Sequence, residues 1–225
     1  MKKWFSYALL ILVVPAVVLL GSTVFGSKQY AFLSLAVAVL ACIPFFLTFE
    51  RREGGSIRLV LIAVLTALSV LGRLLFAVLP GFKPVTAMVI LTAMYFGSEA
   101  GFLTGALTAV LSNFYFGQGP WTPFQMVTWG LLGFVAGLLR NRLKASRLFL
   151  ALYGAVAGVA FSLLMDVWTA VWIDGTLTLS RYLAAVATSG GYMLLYALSN
   201  VIFLLLLRKP MGEILGRIQK KYGIT

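Results

Sequence analysis

Eight apolar stretches alternate with short polar breaks along this chain, at roughly 4–25, 29–49, 57–79, 85–97, 101–116, 123–139, 148–172 and 181–207. Several approach the ~20 apolar residues that a helix needs to cross a hydrocarbon core of ~30 Å. In lipid every backbone polar group must be satisfied within its own segment, so the pattern predicts helices. The breaks between them are not equivalent. Lys2, Lys3, Arg51, Arg52, Arg58, Arg140, Arg142, Lys144, Arg147, Arg208, Lys209, Arg217, Lys220 and Lys221 fall at the two ends or in every second break. The alternate breaks receive only Lys28, Lys83 and Arg181, with Arg73 near the end of a span. Lys and Arg stay on the cytoplasmic side during insertion. The expected fold is an all-α, polytopic membrane helical bundle of eight spans in the cell membrane, with both termini cytoplasmic.

The character of the stretches divides the chain further. Residues 1–49 read as an accessory pair of plain hydrophobic helices, kinked at Pro15 and Pro44. The first stretch exceeds the 7–15 apolar residues of a signal peptide, and no small-x-small cleavage site follows it, so it reads as a retained helix. Residues 50–56, Glu-Arg-Arg-Glu-Gly-Gly-Ser, form a polar cytoplasmic linker. Residues 57–207 form a six-helix core, and 208–225 a basic cytoplasmic tail. Small residues recur four apart in the core, at Ala63/Ala67, Gly101/Gly105, Gly133/Gly137 and Gly154/Gly158. In lipid such spacing lets helix backbones approach closely. The Gly pairs are expected to pack within the bundle.

Composition narrows the chemistry. The net charge of +12 is shared among separate loops, and no span carries a basic face, so nucleic acid is not the partner. The chain has no His, and six acids in all. The commonest general base and metal ligand is therefore missing. The single Cys42 lies in an apolar stretch, which excludes disulfides within the chain and Cys-based metal sites. No catalytic or metal-ligating set emerges, and the available chemistry is binding.

The polar groups for binding gather in the breaks assigned to the outer side. The longest of these holds Asn113, Tyr115, Gln118, Trp121 and Gln125 among Gly117, Gly119, Pro120 and Pro123. Gly and Pro shape such a loop, aromatics supply flat apolar area, and amides donate and accept. That combination suits a polar-edged organic molecule. Phe82, Lys83 and Trp172 stand in the neighbouring outer breaks. Trp and Tyr also form belts at headgroup depth, which is the competing reading for Trp121, Trp129, Trp168 and Trp172. Arg73 and Asp166 lie inside apolar stretches, where an ionisable group faces a cavity or a partner. They are placed to pair with each other, or Arg73 to meet an anionic substrate group or to snorkel to the outer interface. Asp174, eight residues beyond Asp166, is ~12 Å away along a helix, too far for a shared carboxylate site.

Three runs in the core resemble a known family. Arg58-Leu-Val-Leu-Ile-Ala63-Val-Leu-Thr-Ala67 is similar to the Ala-x-x-x-Ala first helix of the S components of energy-coupling factor (ECF) vitamin transporters. Gly101-Phe-Leu-Thr-Gly105 through Asn113 resembles that family's Gly-rich helix, and Pro123 through Gly137 the helix that follows. The resemblance covers about 150 residues. It implies a substrate-binding membrane subunit that is not an enzyme. Its partners would be a transmembrane coupling subunit, docked on Ala63 and Ala67, and two cytoplasmic ATPase subunits. No Gly-x-x-x-x-Gly-Lys-Ser/Thr motif occurs in the chain. The Phe-Lys-Pro and Phe-Gly-Gln-Gly-Pro-Trp-Thr-Pro stretches are most similar to cobalamin-specific members, so the implied ligand is cobalamin or a related corrinoid, with no intrinsic cofactor. Asn113, Gln118 and Gln125 would meet its amides, and Phe82, Tyr115 and Trp121 its face. A flavin or another cofactor precursor would use the same groups. The two N-terminal helices depart from the six-span pattern of common members.

Two other function classes remain open on the sequence. A stand-alone secondary transporter or channel would rely on Asp166 as its coupling group, but no inverted repeat is visible. A membrane enzyme would need a nucleophile, and neither Lys83 nor Ser112 has an evident orienting partner.

Overall fold

The computed structural model describes residues 3–25, a few positions between 32 and 43, 55–172 and 176–223. Most of the expected second span, with Cys42 and Pro44, lies outside the described residues, as do positions 50–54 and Asp174. The described elements are all helical. They are α1 (Lys3–Ala8), a π-helical turn (Leu9–Val13), α2 (Val14–Phe25), α3 (Gly55–Leu75), α4 (Val85–Phe96), α5 (Ser98–Phe116), α6 (Trp121–Leu138), α7 (Arg140–Ala145), α8 (Arg147–Trp172) and α9 (Leu179–Tyr222). Among the described residues, four segments are long and apolar enough to cross a membrane: Trp4–Gly21, Ser56–Leu75, Arg147–Val171 and Leu179–Tyr222.

The π turn falls just before Pro15. Proline has no N–H and its ring crowds the carbonyl four residues back, at Ile11; a wider turn relieves both. Tyr7 meets Phe134 edge to face at 4.9 Å, and Leu10 and Val14 are fully buried. The first helix is thus packed on the core through α6.

Helix α4 is the axis of the bundle. Every residue from Val85 to Met94 is buried. Its sequence is apolar around its whole circumference, as expected for a helix enclosed on all sides. Its 12 residues span only ~18 Å. It turns into α5 across a single residue, Gly97, at φ 91°. That left-handed conformation strains any side chain with a Cβ.

The Gly pairs pack inside the chain. A Cβ placed on Gly105 would lie 2.5 Å from the backbone of Trp129, and one on Gly133 2.4 Å from the Gly101 carbonyl. These positions let α5 and α6 touch backbone to backbone. Gly158 does the same for α8 against Ala197 of α9, at 2.4 Å. Gly105→Val is expected to destabilise the protein by about 1–3 kcal/mol through overpacking. Thermal unfolding of the purified protein in detergent checks this, and an unchanged midpoint would show that α5 and α6 separate freely.

Helix α9 differs from the expected boundary at 207. It continues through Pro210 to Tyr222, so the basic segment from 208 is helical and continuous with the last apolar stretch. Pro210 removes one helical hydrogen bond. The extension is held by burial of Leu215 and by Gln219, whose Nε2 donates to the Tyr95 carbonyl at 2.5 Å.

Candidate functional site

The last turn of α3, the 79–84 connection, α5 and α6 bring their polar residues together at one end of α4. Arg73 is buried there, with 7% of its surface exposed. Its Nη1 donates to Ser112 Oγ and, at 2.7 Å, to Asn113 Oδ1. Its guanidinium lies over the rings of Phe116, 4.5 Å away, and Trp129, 5.2 Å away. No carboxylate of the described residues bonds it. A buried ion without a counter-ion is costly, and hydrogen bonds and aromatic faces offset only part of that cost.

Asn113 is fully buried and holds three helices together. While Oδ1 accepts from Arg73 of α3, Nδ2 donates to Thr122 Oγ1 at 2.9 Å and to Gln125 Oε1 at 2.8 Å, both on α6. Because Gln125 Oε1 is engaged, its amide nitrogen remains as donor. Ser112 is anchored by donating to the Thr108 carbonyl of the preceding turn at 2.6 Å.

Lys83 is fixed through its backbone. Its N–H donates to Ser199 Oγ at 2.9 Å, and the same hydroxyl donates to the Lys83 carbonyl at 3.0 Å. Its ammonium lies 5.1 Å from the Phe116 ring. Burial lowers the pKa of this ammonium, and the neighbouring Arg73 lowers it further.

Arg73, Lys83, Gln125 and Thr86 share a cavity with the rings of Trp129, Phe161 and Tyr196. Trp129 and Phe161 stack at 5.1 Å, and Phe161 meets Tyr196 at 5.0 Å. The indole N–H of Trp129 is buried with no acceptor among the described residues. The cavity measures about 20 Å³, room for one water. Its polar lining therefore consists mainly of donors, two of them cationic, and the rest of its lining is mostly aromatic.

Four residues expected at the site from the sequence meet in this way: Arg73, Lys83, Asn113 and Gln125. The others lie elsewhere. Phe82 packs on Phe76 and Phe203, at 6.1 and 5.1 Å. Gln118 bridges the ends of α5 and α6, donating to the Val110 carbonyl at 2.7 Å and accepting from Thr122 at 3.1 Å. Trp121 lies over Gly119. Tyr115 is 73% exposed. Asp166 does not pair with Arg73; its Oδ2 accepts from Ser189 of α9 at 2.7 Å. Trp172 ends α8, and its side chain is outside the described residues.

Phe161, Tyr196 and Thr86 were missed because nothing in an apolar helix distinguishes a ring that lines a cavity from one that faces lipid. Trp129 was legible only as a Trp near a span end. Its spacing of four from Gln125 was the available signal, since residues four apart share a helix face.

Ala63 and Ala67 are exposed on α3, in one stripe with the exposed Val60, Val64, Leu68 and Leu71. The family model described as ECF-type riboflavin transporter, S component, matches residues 56–217. No curated protein and no solved structure matches the chain.

Proposed function

The chain belongs to the family of S components of ECF-type riboflavin transporters, and from that premise we propose that it is the vitamin-capturing subunit of an ATP-driven importer. The ligand enters the cavity of Arg73, Lys83, Gln125 and Trp129 from the cell exterior. A transmembrane coupling subunit and two cytoplasmic ATPase subunits supply the work. The termini are cytoplasmic on this reading. The charge segregation along the chain supports that orientation.

One observation carries the choice of ligand. The cavity is lined by donors and by a stacked pair of rings, with no acid among its lining residues. A flat heteroaromatic whose edge carries carbonyl and ring-nitrogen acceptors suits both kinds of lining residue. The isoalloxazine of riboflavin has that form. Its edge would accept from Arg73 and Gln125, and its face would lie on Trp129 and Phe161. The narrowness of the cavity also favours a thin ligand, admitted as the 79–84 and 117–120 connections move apart. Cobalamin is the second reading. It rests on the likeness of the Phe82-Lys-Pro84 and 116–123 runs to corrinoid-specific members, and it needs a far larger opening.

Purification of the chain from cells, followed by identification of the bound small molecule, separates the two. A yellow, fluorescent compound whose emission is quenched on the protein is expected. A red cobalt compound, with no flavin binding on titration, would replace the flavin reading by the corrinoid one. Uptake by the chain alone in proteoliposomes, driven by an ion gradient, would overturn the importer assignment itself.

A further inference from the structure

A second recess lies at the other end of α4. Met94 and Tyr95 of α4, Lys144 of α7, Arg147 of α8 and the 205–210 stretch of α9 bound a groove of about 860 Å³. Four of its lining residues are cationic: Lys144, Arg147, Arg208 and Lys209. None is acidic. Glu213, one turn further along α9, is exposed and makes no ion pair with them among the described residues.

Two of these cations are held in place from different helices. Arg208 Nη2 donates to the Lys144 carbonyl at 2.6 Å, which ties α9 to α7. The Lys144 ammonium lies 4.3 Å from the Tyr95 ring. Burial lowers the pKa of Lys144, and the like charge of Arg140 lowers it further. Insertion topology accounts for Lys and Arg in this stretch of sequence. It does not account for their convergence around a concave floor.

The floor identifies the class of ligand. Leu205 and Leu206 are 45% and 65% exposed, and they continue the apolar face of α9 up to the cations. A soluble anion would use the charges and leave this surface bare. We propose that the groove is a binding site for an anionic phospholipid, its phosphate among Lys144, Arg147, Arg208 and Lys209 and its acyl chains along Leu205 and Leu206. Basic pockets between membrane helices recognise acidic headgroups by this combination. The site is separate from the vitamin cavity and holds whichever vitamin is bound.

Native mass spectrometry of the full chain in detergent, loaded with equal amounts of phosphatidylglycerol and phosphatidylcholine, tests it. The wild type is expected to retain phosphatidylglycerol about tenfold more than phosphatidylcholine. Arg147→Gln with Lys209→Gln, both at exposed positions, should bring the two lipids close to parity. Arg142→Gln with Lys220→Gln removes the same charge outside the groove and should keep the preference. Equal retention of both lipids by the wild type, or equal loss in the two double variants, would overturn the proposal. Displacement of phosphatidylglycerol by millimolar inorganic phosphate would also overturn it, and would assign the groove to a soluble anion.

Discussion

Arg73→Met is expected to weaken vitamin binding about 100-fold while the protein still folds. Hydrogen bonds to a charged donor are worth about 1.5–3 kcal/mol, and 1.4 kcal/mol is tenfold in affinity. A ligand edge that accepts from the guanidinium therefore accounts for the loss. Stability moves little, because two effects oppose. Removing a buried cation that has no carboxylate partner relieves its desolvation cost. Asn113 Oδ1 and Ser112 Oγ lose a donor, which costs about 1–3 kcal/mol. Arg73→Lys serves as the graded control. It keeps the charge but lacks the planar fork that reaches two acceptors at once, and an intermediate loss near tenfold is expected. Quenching of ligand fluorescence on titration measures the affinity, and thermal unfolding without ligand measures the fold. Wild-type affinity in a folded Arg73→Met protein would remove the cavity from the binding site.

Ala63→Trp with Ala67→Trp should abolish vitamin uptake and leave binding by the isolated chain within about twofold. Both alanines are exposed, one turn apart on α3, and neither lines the cavity. Small residues in such a stripe let a second helix approach to backbone distance, and an indole at each position holds it off. In plain lipid contact the same change is nearly neutral, since lipid accommodates an apolar ring. Uptake in cells that also carry the coupling subunit and ATPases, set beside binding by the purified variant, separates the alternatives. Uptake at the wild-type level would show that this face meets lipid. Equal loss of binding and uptake would show that the indoles damage the core.

The contrast between the alanine and glycine pairs shows how far pattern reading reaches. All four pairs have the same spacing. The structure buries Gly101, Gly105, Gly133 and Gly158 against backbone and leaves Ala63 and Ala67 outside. Spacing marks a face as smooth, but whether a partner lies within the chain depends on how the other helices are arranged. The site behaves in the same way. Arg73 was legible because a cation within an apolar stretch needs a reason. Its partners were less so. Asp166 was the natural choice by charge, yet Arg73 bonds Ser112 and Asn113, and Asp166 bonds Ser189. The amides of the 112–125 run looked alike in the sequence. Asn113 and Gln125 bond each other from two helices beside the cavity, whereas Gln118 bonds the end of α5 and the first turn of α6.

Sequence alone determined that the chain is an all-helical membrane bundle, where most of its helices begin and end, and which breaks are basic. Those properties are one-dimensional: the length of an apolar run and the alternation of charge are set by the thickness and asymmetry of the bilayer, and they can be read without knowing how the helices meet. Tertiary structure decided which residues share the cavity, that three aromatic rings line it, that α9 continues past Pro210 to Tyr222, and that four cations from three helices surround a second groove. These are matters of rotation and contact between helices. In an apolar medium, a helix that is hydrophobic on every side carries no mark of which side will be inward.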